Sequence, residues 1–317
     1  MKIFQLIDLI IRLFKLNKRS KVVLLFLVPT FLLAQNQAFW LGKRPSAGAP
    51  TNLLLDDYPG AAAAYSVRKL DKDYTGFAME IRRASDNATQ DIGFVGENLD
   101  VTSINTFCSG TTCTVRTWYD QSGNGRNAVQ ATAINQPTIY TGGSVITDNL
   151  KPSLLFNGTS NLIKTSATFQ FNDVTAILIA SQLSTETNSY GRFLDIENVN
   201  GLFVGRAVLN NQIVFGSKYP ASPYGSVISA SNNTQYVIFG YRISSSGQIY
   251  ASLNELSEIL STGSTGITAN GVLSIGARQD NVSHGNKKIQ EIIIYSSNQK
   301  PNKTGFLTNI NTYYSIY

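Results

Sequence analysis

Three short stretches of this 317-residue chain concentrate carboxyl and amide groups that could do chemistry. The first, Arg192-Phe-Leu-Asp195-Ile-Glu197-Asn198, reads as a strand. Side chains two apart on a strand share a face, so Asp195 and Glu197 would point the same way. The second is Ile275-Gly-Ala-Arg-Gln-Asp280-Asn281, which ends among turn-forming residues. Cleaving a glycosidic bond uses two carboxyl groups, one as acid/base and one as nucleophile or base. Glu197 and Asp280 are the pair these stretches offer. The third, Asp120-Gln-Ser-Gly-Asn-Gly125, could line a glycan or a metal site. Each stretch has a plain structural reading as well. Asp195 and Glu197 suit the wet face of a strand, Asp280-Asn281 suits an Asx turn, and Asp120 suits a loop that caps its own backbone.

The remaining side-chain chemistry is sparse. The chain has one histidine, His284, which beside Gly285 is expected on an exposed loop. Two cysteines and no Cys/His cluster leave no material for a zinc site or a histidine-dependent triad. No cofactor is expected, and no residue is assigned as a metal ligand. The net charge of +6 is a property of the amino terminus. Met1–Ala34 holds six of the 26 basic residues and one of the 20 acids, which leaves 20 against 19 beyond it. That balance gives no support for nucleic-acid binding.

The same terminus reads as a leader. Lys15, Lys18, Arg19 and Lys21 precede an apolar run, Val22 to Ala34, that is short for a membrane span and suited to a signal-peptide core. The expected organisation is therefore a leader over 1–34, an extended lead-in over 35–60, and one domain over 61–317. A chain so processed is expected to be secreted or on the cell surface, with no membrane contact once the leader is removed.

The elements that must position these groups are mostly strands. Short β-like runs recur between Gly, Asn and Ser turns at Ala78–Arg82, Thr114–Tyr119, Ser153–Phe156, Val174–Ser181, Gly201–Gly205 and Gln212–Phe215. They continue at Gln235–Ile243, Gln248–Leu253, Gly271–Ala277 and Ile289–Tyr295. Val174-Thr-Ala-Ile-Leu-Ile-Ala is apolar on both faces and belongs in a covered central strand. Gln248-Ile-Tyr-Ala-Ser-Leu-Asn alternates and should keep one wet face. A helical turn is expected over Tyr65–Leu70. At the end, Phe306, Leu307, Ile310, Tyr313 and Tyr314 repeat at helical spacing after Pro301. Many short strands with one terminal helix imply an all-β sandwich or jelly roll.

One stretch ties these readings together. Phe107-Cys108-Ser-Gly-Thr-Thr-Cys113-Thr holds both cysteines, with Gly110 between them. A tight turn there could bring the two Cα atoms into disulfide range. This stretch, followed by Tyr119-Asp-Gln-Ser-Gly-Asn-Gly125, resembles the amino-terminal part of arabinofuranosidase B catalytic domains, glycoside hydrolase family 54. Tyr74-Thr-Gly, Ile81-Arg-Arg-Ala-Ser-Asp-Asn-Ala-Thr89 and Asp91-Ile-Gly extend the likeness, which covers about Ala61 to Gln130. Near the carboxy terminus, Gly271–Ala277 and Lys288–Ser296 resemble the closing strands of laminin G-like sandwiches.

The resemblance implies a concanavalin A-like (jelly-roll) β-sandwich with Cys108 and Cys113 closed as a disulfide. It also assigns roles. Asp195-Ile-Glu197-Asn198 is similar to the family's segment around its nucleophile. That makes Glu197 the nucleophile, with Asp195 and Asn198 contacting the sugar. Asp280-Asn281 resembles the end of the family's Ile-Gly-Gly-Asp-Asn motif, with Asp280 as acid/base and Asn281 beside the substrate. Asp120 is a further candidate sugar contact. The chain departs from the family by inserting Val199-Asn200 before Gly201 and two residues between Ala277 and Asp280. It also has no cysteine over about Ile179 to Tyr190, where the family carries an adjacent cysteine pair against the sugar. The expected activity is that of a secreted retaining α-L-arabinofuranosidase acting on arabinose-containing polysaccharide. The alternative is a non-catalytic glycan-binding or adhesion module on the same sandwich. The arabinose-binding trefoil module that often follows the family's catalytic domain is not expected after the terminal helix.

Overall fold

β-branched and aromatic runs broken by turn residues favour strands, and in the computed structural model nearly all of them pair antiparallel into one large sheet that folds over on itself. The structure describes residues 52–185, 188, 190–196, 201–206, 212–219, 222–262 and 269–317. The expected leader and residues 35–51 of the expected lead-in lie outside these. Asn52–Tyr317 forms one compact unit.

Apart from two-residue bridges, the unit opens with α1 (Leu54–Asp57), β1 (Ala63–Ser66), β2 (Met79–Arg83) and β3 (Thr89–Ile92). Next come α2 (Val101–Phe107), β4 (Cys113–Trp118), β5 (Thr138–Thr141), β6 (Leu154–Asn157), β7 (Ile163–Phe171) and β8 (Val174–Gln182). The site region holds β9 (Arg192–Ile196), β10 (Leu202–Arg206), β11 (Gln212–Tyr219) and β12 (Ser222–Ser229). The chain closes with β13 (Gln235–Ile243), β14 (Gln248–Leu253), β15 (Ile259–Thr262), β16 (Ala269–Ile275), β17 (Asn286–Tyr295) and α3 (Lys303–Tyr314).

One layer runs β1–β17–β8–β13–β14–β15. The other runs β7–β16–β9–β10–β11–β12. They face each other, because a side chain on Gly240 of β13 would overlap the ring of Phe215 on β11. At one end, β2, β3 and β4 pair together, and β5 joins β4 to β6. β8 is buried along its whole length, as its two apolar faces require, because β13 and β17 flank it. β14 keeps Gln248 and Tyr250 partly exposed and buries Ile249 and Ala251. In α3, Phe306, Leu307, Ile310 and Tyr314 are buried and Tyr313 partly so.

Two local expectations change. Tyr65 lies in β1, not in a helical turn, since Ala63–Ser66 pairs with Ile294–Glu291 of β17. Neighbouring strands override the helix preference of the alanine run. Within the expected extended lead-in, Leu54–Asp57 forms a helical turn, with the Asp56 carboxylate accepting from the Leu53 N–H at 2.7 Å. Leu54 and Leu55 are buried in the core. β7 and β12 were not among the expected strands, although β7 alternates buried Ile163, Thr165, Phe169 and Phe171 with the more exposed Lys164, Ser166, Thr168 and Gln170. Pro223 is tolerated in β12 because, among the described residues, β11 is its one strand partner, the edge setting in which a missing N–H costs least.

Candidate active site

β9 and β16 lie side by side, with Leu194 opposite Ile275, Asp195 opposite Ser274 and Ile196 opposite Leu273. A register shift between Arg192 and Leu194 puts the Arg192 side chain near that of Asp195. The Arg192 Nε–H donates to Asp195 Oδ2 at 3.0 Å, and both side chains are nearly inaccessible. The guanidinium also covers the Phe203 ring at 4.2 Å and donates from Nη1 to the Tyr190 carbonyl at 2.9 Å. Asp195 is therefore not on a wet face. A charge taken out of water needs a partner and hydrogen bonds, and Arg192 supplies both. Glu197 and Asn198 fall outside the described residues.

Asp280 sits on the loop between β16 and β17. Its Oδ1 accepts from Arg278 Nε at 3.1 Å and its Oδ2 meets Arg278 Nη2. The carboxylate stays substantially exposed. Asn281 takes the left-handed conformation at φ 65°, with its N–H on the Arg278 carbonyl at 3.0 Å. The loop has a tight neck. The Gly285 N–H donates to Gly276 O at 2.8 Å. A side chain at Gly276 would overlap Phe156, and one at Gly285 would overlap the Arg192 carbonyl. The Arg192 N–H donates to the Ser283 carbonyl at 3.0 Å, which ties the loop to the start of β9.

That register bears on the candidate pair. Ile196, the last described residue before Glu197, lies at the far end of the β9–β16 contact from this loop. Four residues of strand amount to roughly 13 Å. The fold thus ties the loop that carries Asp280, through the Ser283 carbonyl, to Arg192 at the start of β9, and from there the described part of β9 runs along β16 away from the loop.

His284 is 7% exposed and so does not sit on an exposed loop surface as expected. Its ring is wedged between the loop and the Asn157–Asn161 turn, with backbone carbonyls of Asn161 and Asn281 at its two nitrogens. Glycine next to it suggested an open loop; Gly285 instead permits close approach to β9.

Asp120 fastens its own loop. Its carboxylate accepts from Ala64 N, Ser122 N, Ser122 Oγ and Arg126 N at 2.8 to 3.0 Å. With four donors and 4% exposure it faces protein. Gln121 donates to the Arg68 carbonyl and Asn124 to that of Ala61, so the loop stitches β4 to β1. Cys108 and Cys113 form the disulfide, with Cα atoms 5.8 Å apart, joining the end of α2 to the start of β4. Among the described residues no group of three or more His, Cys, Asp or Glu side chains could hold a metal ion.

Sequence reasoning did not single out Lys287, which is fully buried. Its ammonium donates to Gln182 Oε1 at 3.0 Å and lies 4.6 Å from the centre of the Phe193 ring. Nor did it find the pair of Arg68 with Glu291, which meets Ser66 and Tyr314 inside the core. Both buried charges of β17 look like surface residues in the sequence. β17 is buried because β1, β6 and β8 all pair with it.

Comparison with known proteins bears on the site. Residues 55–159 match the family model described as alpha-L-arabinofuranosidase B, catalytic. The resemblance read over 61–130 thus holds and extends further. Alpha-L-arabinofuranosidase B of Penicillium canescens is 43% identical over 75 residues, which is 23% of this chain and 16% of that protein. The Aspergillus niger protein of the same name is 35% identical over 96 residues, 30% of this chain and 19% of its own. The matches thus span less than a fifth of these relatives. Among solved structures, an arabinofuranosidase complexed with arabinofuranosyl-α-1,2-xylobiose has a TM-score of 0.58 at 17% identity, covering 79% of this chain and 62% of that one. A family 54 α-L-arabinofuranosidase soaked with a cyclic sulfate inhibitor has a TM-score of 0.60 at 16% identity, with the same coverage. The sandwich fold is the one these structures have. Strand β9 and the Asp280 loop lie beyond the family match.

Proposed function

We propose that this chain is a glycoside hydrolase of the α-L-arabinofuranosidase type, acting on arabinose-containing polysaccharide outside the cell. The observation that carries this reading is the family match over residues 55–159, set on a sandwich of the same fold. The basic, then apolar amino terminus supports export. Among the described residues no helix is long and apolar enough to cross a membrane.

In this reading Glu197 attacks the anomeric carbon while Asp280 gives its proton to the leaving oxygen. Asp280 then takes a proton from water, and the water releases the sugar with retained configuration. Such a retaining pair needs carboxyls about 5 to 5.5 Å apart. Segment 197–200 would therefore have to bring Glu197 back across β16 towards the loop. Asp195 would act through its ion pair with Arg192, and Asn198 and Asn281 would contact the sugar.

A second reading, a glycan-binding or adhesion module without catalysis, draws on two observations. The register of β9 on β16 leads away from the Asp280 loop, and the stretch Ile179 to Tyr190 contains no cysteine. Release of 4-nitrophenol from its α-L-arabinofuranoside decides between them. The hydrolase reading expects turnover by the folded chain and a loss of about a thousandfold or more in both Glu197→Gln and Asp280→Asn. No turnover by a well-folded chain, with retained binding to arabinose-containing polymer, would establish the module instead. Turnover surviving both substitutions would move the chemistry to other carboxyls.

A further inference from the structure

We propose that the outer face of the β2–β3–β4 end of the sheet is a second glycan-binding surface. The Phe77 and Tyr119 rings stack there on a neutral polysaccharide chain, and Asp91, Glu80 and Arg116 meet its hydroxyls. Its service to catalysis rests on the hydrolase reading above; the surface itself does not.

A few contacts build the platform. β2 lies between β3 and β4. Tyr119, the residue after β4, donates its hydroxyl to Asp91 Oδ1 on β3 at 2.7 Å, so its side chain crosses the outer face of β2. The Phe77 ring stands beside it, with centroids 6.4 Å apart and planes tilted by 44°. A Cβ on Gly93, two residues after Asp91, would sit 3.7 Å from Phe77, which places that ring along β3. The segment before β2 is braced as well. The Tyr74 hydroxyl donates to the Phe77 carbonyl at 2.9 Å, and the Tyr74 ring meets Phe94 edge-on. Phe77 nevertheless remains 49% exposed. A ring so held loses little freedom when a ligand covers it.

Polar groups of both kinds border the rings. Asp91 is exposed, and Tyr119 engages its Oδ1, which leaves Oδ2 as an acceptor. Glu80 accepts from Arg116 Nη1 at 2.9 and 3.0 Å and from the Thr117 hydroxyl at 3.0 Å. That leaves Nε and Nη2 of the half-exposed Arg116 as donors. A sugar unit offers an apolar C–H face and hydroxyls that both donate and accept. The rings suit the first, and carboxylate beside guanidinium suits the second. Two carboxylates next to one guanidinium leave too small a net charge to steer a polyanion or a polycation.

Strand register carries this face to the candidate active site. Asp91 stands opposite Glu80, Glu80 opposite Thr117, and Thr117 opposite Val129 of the short Ala128–Val129 bridge. Val129 stands opposite Lys164 on β7, Lys164 opposite Ser274 on β16, and Ser274 opposite Asp195 on β9. Residues directly opposite on paired strands share a face, so Asp91 and Asp195 mark two ends of one cross-strand row. From Asp91 to Lys164 is four strand spacings, roughly 19 Å. There the Lys164 ammonium donates to the carbonyl of Gln279, the residue before Asp280, at 3.1 Å. A polysaccharide laid across the strands along this row reaches the Asp280 loop while its far units rest on Phe77 and Tyr119.

The test uses the full chain carrying Asp280→Asn, so that the probe, a soluble neutral arabinoxylan, is not consumed. Retardation in gels containing the polymer gives a dissociation constant. Adding Phe77→Ala should weaken binding by about tenfold, the share of a half-covered phenyl ring. Phe77→Trp, which keeps an aromatic face, should retain it. Oligosaccharides of the same polymer should shift the backbone amides of Phe77, Asp91 and Gly93. Equal binding by Phe77→Ala overturns the proposal, and so do amide shifts confined to β9 and the Asp280 loop. A folded chain that binds no arabinoxylan also overturns it, and self-association through Phe77 would then make the face a protein interface. If Phe77→Ala fails to fold, the amide map still decides. The two readings fail separately. Binding at these amides without 4-nitrophenol release by the unmodified chain removes the hydrolase and leaves the surface, and release without binding here does the reverse.

Discussion

Asp195 shows what a single residue can and cannot reveal in a sequence. Its place two before Glu197 was legible from strand alternation, but its partner was not, because a register shift turns Arg192 towards it. Both side chains are almost wholly inaccessible, so removing one leaves the other charged and buried. Arg192→Ala is expected to cost about 3 to 5 kcal/mol in denaturant unfolding. Adding Asp195→Asn should return a large part of that loss. Strict additivity of the two substitutions would show that the pair is not coupled. The same scale holds the error over His284. One histidine beside one glycine carries no local sign of burial, and the two carbonyls that enclose it come from residues 3 and 123 positions away.

At the scale of elements, strong patterns were legible and weak ones were not. β13 and β14 occupy the residues that the β-like runs between turns assigned to them, Gln235–Ile243 and Gln248–Leu253. Helix α2 went unread because its seven residues, rich in β-branched and small polar types, have little helical preference. Its ends hold it. Asp100 accepts from the Ser103 N–H at 3.0 Å and the Ser103 hydroxyl at 2.6 Å, and the Cys108–Cys113 bridge closes the other end. The Ser103 hydroxyl first, and then its N–H, hold the Asp100 carboxyl below its ordinary value. A carboxylate so held stabilises the fold while ionised, and that contribution fades as pH falls through its folded titration. Asp100→Ala should therefore cost about 1 kcal/mol at neutral pH. The difference in Tm between the two proteins should shrink on acidification. A gap that stayed constant to acid pH would mean the cap works by shape rather than charge.

Across the whole molecule, α3 is bound to parts of the chain far apart in sequence. The Phe306 ring meets Tyr58 after α1, Phe239 on β13 and Tyr295 on β17, with centroids 4.3, 6.3 and 5.6 Å away. Tyr314 of the same helix donates to Glu291 in the buried Arg68 pair at 3.1 Å. Phe306→Ala is expected to cost about 3 to 5 kcal/mol. Because the contacts span three elements, calorimetry should show one transition moved down in temperature. A separate early transition of the helix, with the main one unchanged, would mean that α3 is an appendage.

The sequence alone was enough for the class of fold and for the terminal helix. It also sufficed for the covered strand β8 and the cysteine-bearing stretch whose resemblance was read over about residues 61–130, within the 55–159 that the family model matches. These are properties of local periodicity, turn chemistry and residue order, which neighbours in the chain express without help. Only the tertiary structure decided which charges are buried, where the loop of Asp280 stands relative to β9, and what encloses His284. Those depend on register between strands distant in sequence, where a shift of one residue moves every side chain to the opposite face. Asp120 illustrates the division. Its loop chemistry was plain in Asp-Gln-Ser-Gly-Asn-Gly, yet one of its four donors is the Ala64 N–H of β1, a partner set by packing alone.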